Sequence, residues 1–298
     1  MTNSERFEGC IIGGAIGDAY GSAFENLSEP TNDDNFYPFG KPEPIVPKWN
    51  ITDDTQLTLA TCESISEHST LQTEHLANTL LQYYKHRKIT GIGSSTLQAL
   101  KALEVGSHWQ HAGRTGEFAA GNGAAMRIAP LAFIKIISRE QIRDACIITH
   151  NNDEAYVGAL SVVLAIKAIL NGSWTGKENL LEIIIEQIPD TRVRDRFIEI
   201  NALNNLETIS KLGNNGYVVN SIPLAITYAS KVQELGIETM YKQLIDIGGD
   251  TDTNCSIAGQ IAGTLIGLDN IPSHLITKLK QLKDYTWIQN TILKATFL

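Results

Sequence analysis

The chain has 298 residues, 43% of them hydrophobic, and its 33 acidic against 24 basic residues give a net charge of −9. The Lys and Arg side chains are scattered, with no run longer than KHRK at residues 85–88, which argues against nucleic acid as a partner. No stretch reaches the roughly 18 uncharged apolar residues of a membrane span, and the start, MTNSERFEG, is polar rather than leader-like. The expected location is therefore the cytoplasm, with no membrane partner. Cys10, Cys62, Cys146 and Cys255 lie far apart in apolar contexts with no C-x-x-C pair, so they are expected as buried free thiols.

The spacing predicts a first helix over residues 7–26, FEGCIIGGAIGDAYGSAFEN. Within it Gly9, Gly13, Gly17 and Gly21 recur every fourth residue and form one stripe. Each interior glycine costs roughly 1 kcal/mol relative to alanine, so another backbone is expected to approach closely. Asp18 and Glu25, seven apart, share one side of that helix, which is either a solvated face or a functional one. The GGAIGDAYG stretch has a G-x-x-G spacing, but no strand precedes it and no Lys-Ser/Thr follows, so a P-loop or Rossmann reading is set aside.

Residues 27–48 hold five of the nine prolines and form a long irregular loop, either a lid or plain surface. It runs into WNITDDTQL, residues 49–57. Thr52 or Asp53 could cap the helix that follows, and Asp53 with Gln56 has capping-box spacing. Helical periodicity continues through 57–68, 73–86, 95–103, 154–170, 180–188, 221–232 and 273–282. Strand patterns are scarce and no linker divides the chain. The expectation is an all-α bundle of roughly a dozen helices in one domain, residues 1–298. A second glycine stripe, Gly259, Gly263 and Gly267, closes the pattern, and a buried close-packed pair of helices explains both stripes.

Just before that second stripe stands DIGGDTDTNCSIAG, residues 246–259. Two separate segments thus each place a threonine and two aspartates at the mouth of a helix. Thr52, Asp53, Asp54, Asp250, Asp252 and Thr253 together offer four carboxylates and two hydroxyls. That is hard oxygen chemistry, suited to Mg2+, Mn2+ or Ca2+. Four converging carboxylates repel strongly unless cations neutralise them, and two divalent ions would do so.

In chain order, GCIIGGAIGDAYGSAFE, TDDTQ, GNGAAMRIAPLA, ITH and DIGGDTDTNCSIAGQIAG resemble the ADP-ribosylglycohydrolase family, over about residues 6–268. The resemblance implies an orthogonal helical bundle, two Mg2+ (or Mn2+) ions, and hydrolysis of the bond between ADP-ribose and an acceptor. Residue by residue, it makes Thr52, Asp53, Asp54, Asp250, Asp252 and Thr253 the metal ligands. It makes Gly121, Asn122 and Gly123 a substrate loop whose backbone approaches the diphosphate. Met126 and Arg127 would open the next helix, with Arg127 either a phosphate ligand or part of a structural ion pair. His150 matches a histidine near the ribose, and Glu25 an acid at the end of the first helix. The candidates for acid–base work are Asp53, Asp54, Glu25 and Asp252.

The sequence departs from the family before GNG, where EFAA (117–120) leaves Phe118 as the available aromatic for the adenosine part. Expected partners are an ADP-ribosylated protein, with arginine favoured over serine as acceptor, and the product ADP-ribose. A monomer is favoured. The activity would reverse ADP-ribosylation, including that left by a toxin. Two other readings compete: a protein that binds ADP-ribose without cutting it, and a hydrolase of small ADP-ribose derivatives.

Overall fold

The structure, a computed structural model, describes residues 1–25, 47–68, 70–203 and 205–295. The proline-rich stretch anticipated at 27–48 lies outside the described residues except for Pro47 and Lys48. The chain folds through helices α1 (Asn3–Ser22), α2 (Asp53–His68), α3 (Thr73–Lys85), α4 (Ser94–Glu104) and α5 (Trp109–Ala112). Three short 3-10 turns, at Glu117–Ala119, Asn122–Ala124 and Ala129–Phe133, lead to α6 (Arg139–Ile147) and α7 (Asp153–Leu170). Then follow α8 (Leu180–Ile185), α9 (Arg192–Asn201), α10 (Leu206–Ser210), α11 (Val218–Ser230), α12 (Val232–Leu235) and α13 (Ile237–Ile247). The last are α14 (Thr251–Ile266), α15 (Ser273–Lys280) and α16 (Tyr285–Leu293). Among the described residues the only sheet is a parallel pair, β1 (Arg114–Thr115) with β2 (His150–Asn151), which the sequence pattern did not reveal.

The all-α expectation holds. The helices missing from the sequence reading, α6 and α9 among them, bury narrow stripes: Ile142, Ala145 and Cys146 in one, Val193, Phe197 and Ile200 in the other. Charged neighbours mask such short stripes. One hydrophobic cluster runs from Phe7 in α1 to Ile288 in α16, and all four cysteines are free and buried in it.

The two glycine stripes face each other. A Cβ on Gly9 would strike the carbonyl oxygen of Gly263, one on Gly13 that of Gly259, one on Gly17 that of Cys255, and one on Gly21 that of Thr251. As the first number climbs by four the second falls by four, so α1 and α14 run antiparallel at backbone contact. The register is pinned by bonds that do not repeat. Tyr241 donates its hydroxyl to the Gly13 carbonyl at 2.7 Å, Thr251 to that of Gly21 at 2.9 Å, and Arg6 donates to the Thr264 carbonyl at 3.0 Å. The geometry has one result for the site: the C-terminal end of α1 meets the N-terminal end of α14.

Candidate active site and metal centre

The two acidic segments meet at that junction. Thr253 donates its hydroxyl to Asp54 Oδ2 at 3.1 Å, joining residues 52–54 to residues 250–253. Carboxylate oxygens of Asp18, Asp54 and Asp252 lie within 4.8 Å of one another, as do those of Glu25, Asp250 and Asp252. Capping does not account for the acids. Asp250 makes no side-chain cap at α14, and Gln56 bonds Thr90 and the Ile51 carbonyl rather than closing a capping box.

Asp18, which the sequence reading left between a solvated and a functional face, is fully buried. It caps α2 from another helix. Its Oδ1 accepts the Thr52 hydroxyl at 2.8 Å and the Thr52 N–H at 3.1 Å. Its Oδ2 accepts N–H groups of Thr52 at 2.9 Å and Thr55 at 3.1 Å, and the Thr55 hydroxyl as well. Four donors, one of them shared between the two oxygens, fill the carboxylate, so Asp18 supports the Thr52–Asp54 turn and has little left for an ion. The Thr52 hydroxyl is correspondingly engaged with Asp18, and stands 3.4 Å from Asp54 Oδ2.

Asp53 and Asp54 show the opposite pattern. Asp54 Oδ1 is buried with no hydrogen-bond partner among the described residues. Among the described residues Asp53 accepts a long contact from the Gly93 N–H at 3.4 Å and no other side-chain bond. Among the described residues, none of these carboxylates pairs with Lys, Arg or His. Burial drives their protonation equilibria upward, and neighbouring acids add to it. Asp53 is raised to about 8 by burial and then Asp18, and Asp252 to about 9 by burial and then Asp250. Asp54 is raised well above the carboxylate range by burial, then by Asp252, Asp18, Asp53 and Asp250. Glu25, at the exposed rim, is raised by burial and then by Asp250 and Asp18. An orphaned buried oxygen inside an unpaired carboxylate cluster fits a hard divalent cation, which would replace the missing counter-charge.

The glycine loop sits beside this cluster, but not as the sequence reading drew it. The Asn122 N–H is donated to the Gly216 carbonyl at 3.1 Å and is not free for a diphosphate. The Asn122 side chain instead donates to Asp250 Oδ2 at 2.6 Å, making it a support of the acid cluster. Gly121 bridges Tyr217, and Gly121 and Gly123 leave just enough room for the His150 ring, which a Cβ at either would crowd.

Arg127 needs a larger correction. It has no exposed surface, opens no helix, and donates to the Ala145 carbonyl at 2.9 Å and the Thr149 hydroxyl at 3.0 Å. Fully buried, it offers no surface to a phosphate, and among the described residues it makes no ion pair. Its burial depends on contacts with Ala145 and Thr149, which helical periodicity does not encode. His150 is buried against the loop. Phe118 is 74% exposed, with the Arg114 guanidinium 5.8 Å from its ring centre.

The sequence reading also missed the support behind Asp250. Its N–H donates to the Asn214 carbonyl at 3.0 Å, an oxygen that also accepts the Asn254 amide at 3.0 Å. The available signal was LGNNGY, a turn whose Gly213 has φ 129°.

The family model described as ADP-ribosylglycohydrolase matches residues 1–297. Over 90% of this chain and 84% of the relative, the sequence is 26% identical to the ADP-ribosylhydrolase ARH3 of Danio rerio. It is 27% identical to the ADP-ribosylarginine hydrolase Tri1 of Pseudomonas putida, over 92% of this chain and 74% of the relative. A solved structure titled "ADP-ribosylglycohydrolase-related protein complex" superposes with a TM-score of 0.65 at 24% identity, covering 98% of this chain and 97% of that one. At that identity it speaks for the fold.

Proposed function

From the premise that the chain belongs to the ADP-ribosylglycohydrolase family, we propose that it is a divalent-metal-dependent hydrolase that removes ADP-ribose from a modified protein side chain, arginine before serine. The observation that carries this reading is the junction of residues 52–54 with residues 250–253, where buried carboxylates converge without a cationic partner. Thr52, Asp53, Asp54, Asp250, Asp252 and Thr253 would hold the ions, two Mg2+ or Mn2+. Bound there, a divalent cation supplies counter-charge and Lewis-acid polarisation of oxygens.

The chain's own residues do the rest. Cleavage at the anomeric carbon of a ribose builds positive charge on the sugar, which the surrounding carboxylates favour. One carboxylate must take a proton from the attacking water. Glu25 is our choice, because it stands at the exposed rim with a raised affinity for protons. Asp18 and Asn122 keep Asp54 and Asp250 in place through the bonds described above. The arginine preference draws on the likeness to the ADP-ribosylarginine hydrolase Tri1 and on the attraction of an acidic rim for a guanidinium. The same chemistry would undo modification by an ADP-ribosylating toxin.

The test offers peptides ADP-ribosylated on arginine or serine, with Mg2+ or with EDTA, and follows free ADP-ribose. Release from the arginine peptide only with metal is the expected result. Tight ADP-ribose binding without release from either peptide would make the protein a reader rather than a hydrolase. Within this scheme Glu25→Gln should lower turnover at least about tenfold while ADP-ribose affinity changes little, as titration calorimetry beside single-turnover kinetics will reveal.

A further inference from the structure

Arg127 poses a problem of its own. A guanidinium with no exposure makes no ion pair with a carboxylate among the described residues, and its Nε and Nη1 have no hydrogen-bond partner among them. Burying a charge this way is costly. Part of the compensation is the Ala145 carbonyl, in the last turn of α6, where a cation is favoured by the helix dipole. The other bond leads toward the site. Arg127 Nη2 reaches Thr149 Oγ1 at 3.0 Å, and Thr149 Oγ1 lies 2.9 Å from His150 Nδ1.

Resting on the function read above, we propose that Arg127 and Thr149 are positioning residues that hold His150 as the neutral Nε2–H tautomer, giving the glycine loop one N–H donor for an oxygen of bound ADP-ribose.

The direction of the chain follows from donor arithmetic. A guanidinium can only donate, so one lone pair of Thr149 Oγ1 is taken. The single hydroxyl hydrogen of Thr149 must then find an acceptor, and among the described residues His150 Nδ1 is the remaining partner of that hydroxyl. Were Nδ1 protonated instead, Thr149 would accept twice and its own hydrogen would be buried unmade. That penalty favours the Nε2–H form by at least about tenfold.

The opposite nitrogen is set up to be used. A Cβ on Gly121 would come 3.2 Å from Nε2, and one on Gly123 would come 3.3 Å from it, so a side chain at either position would crowd that atom. No protein group bonds Nε2 among the described residues, and it is not sealed from solvent as the orphan atoms of Arg127 are. Burial, then the charges of Arg127 and Arg114, push the imidazole down to about 3, in keeping with a neutral ring. The ring's backbone is held as well, since β2 pairs with β1 and the Arg114 N–H donates to the Thr149 carbonyl at 3.1 Å.

The experiment reads the tautomer directly. Nitrogen-15 NMR of histidine-labelled, ligand-free protein should give His150 as Nε2–H in the wild type and in Thr149→Ser, and as Nδ1–H or a mixture in Thr149→Val. ADP-ribose affinity should fall about tenfold in Thr149→Val and stay near wild type in Thr149→Ser, with KM moving more than kcat. Mn2+ affinity should be unchanged in both. Arg127→Met should reproduce the tautomer shift. A wild-type Nδ1–H signal overturns the proposal, and needs no variant to fold. So does a Thr149→Val protein that keeps both the Nε2–H signal and wild-type affinity, which would leave Arg127 as a cap of α6 alone. If the wild type binds no ADP-ribose, the functional reading fails, and the NMR result still judges the positioning.

Discussion

In the proposed mechanism Asp54 is the residue on which the chemistry turns. It shares one carboxylate oxygen with Thr253 and keeps the other buried and bare. Asp54→Asn would replace a cation-seeking oxygen with an amide, as would Asp252→Asn. Each is expected to cut turnover by at least about 100-fold and to abolish Mn2+ binding in calorimetry while the helical circular dichroism stays intact. Unchanged metal binding in both would remove them from the ligand set. The same acids set a pH dependence. Without metal, Asp53 at about 8 and Asp252 at about 9 keep protons in the folded chain. The unfolded chain releases them near pH ~4. The native state then binds more protons, so stability falls as pH rises. The melting temperature of EDTA-treated protein should drop between pH ~5 and ~9, and the gain from Mn2+ should grow across that interval as proton competition fades. A metal-induced gain that does not vary with pH would mean that the acids are already ionised.

Helix pairing decides where those acids stand, and it is where the sequence was most legible. A glycine every fourth residue announces backbone contact, and α1 against α14 delivers it. Gly13→Ala gains roughly 1 kcal/mol of helix propensity but drives a Cβ into the Gly259 carbonyl, which is backbone and cannot rotate away. Overpacking should win, with a net loss of about 1–3 kcal/mol in urea unfolding. Equal or greater stability would show that the pair can spread. Asp18 carries the next link, from α1 to α2. Asp18→Asn would turn an amide toward a nest of donors, so the Thr52–Asp54 turn should loosen and Mn2+ affinity fall about 10–100-fold, again read by calorimetry. What the sequence could not disclose were long-range bonds of this type. Nothing local marks Asp18 as the cap of a helix that begins more than thirty residues later, or Asn122 as the partner of Asp250, 128 residues away. Arg127 failed for a related reason, since a cation invites a reading at the surface and its burial depends on α6 and Thr149.

On the scale of the whole molecule, acids placed near both ends of the sequence become neighbours, while the segments between them supply the glycine loop and His150. The Thr251 hydroxyl bonds the Gly21 carbonyl across 230 positions of sequence. A ribosome releases the chain from its N-terminus, so Asp18, Asp53 and Asp54 are made early and wait for Asp250 and Asp252. Until α14 docks, the early acids have only each other, and half a ligand set holds a hydrated Mg2+ weakly. A cation bound at the proposed site would thus act as an inspector of the finished product: it would be retained by chains that have closed the α1–α14 seam in the right register and would pass over those that have not. A slip of one helical turn would still mesh glycine with glycine, because the stripes repeat every four residues. It would carry Asp252 about 6 Å along the axis from its place beside Asp54, and a protein that looked well packed would have no grip on metal.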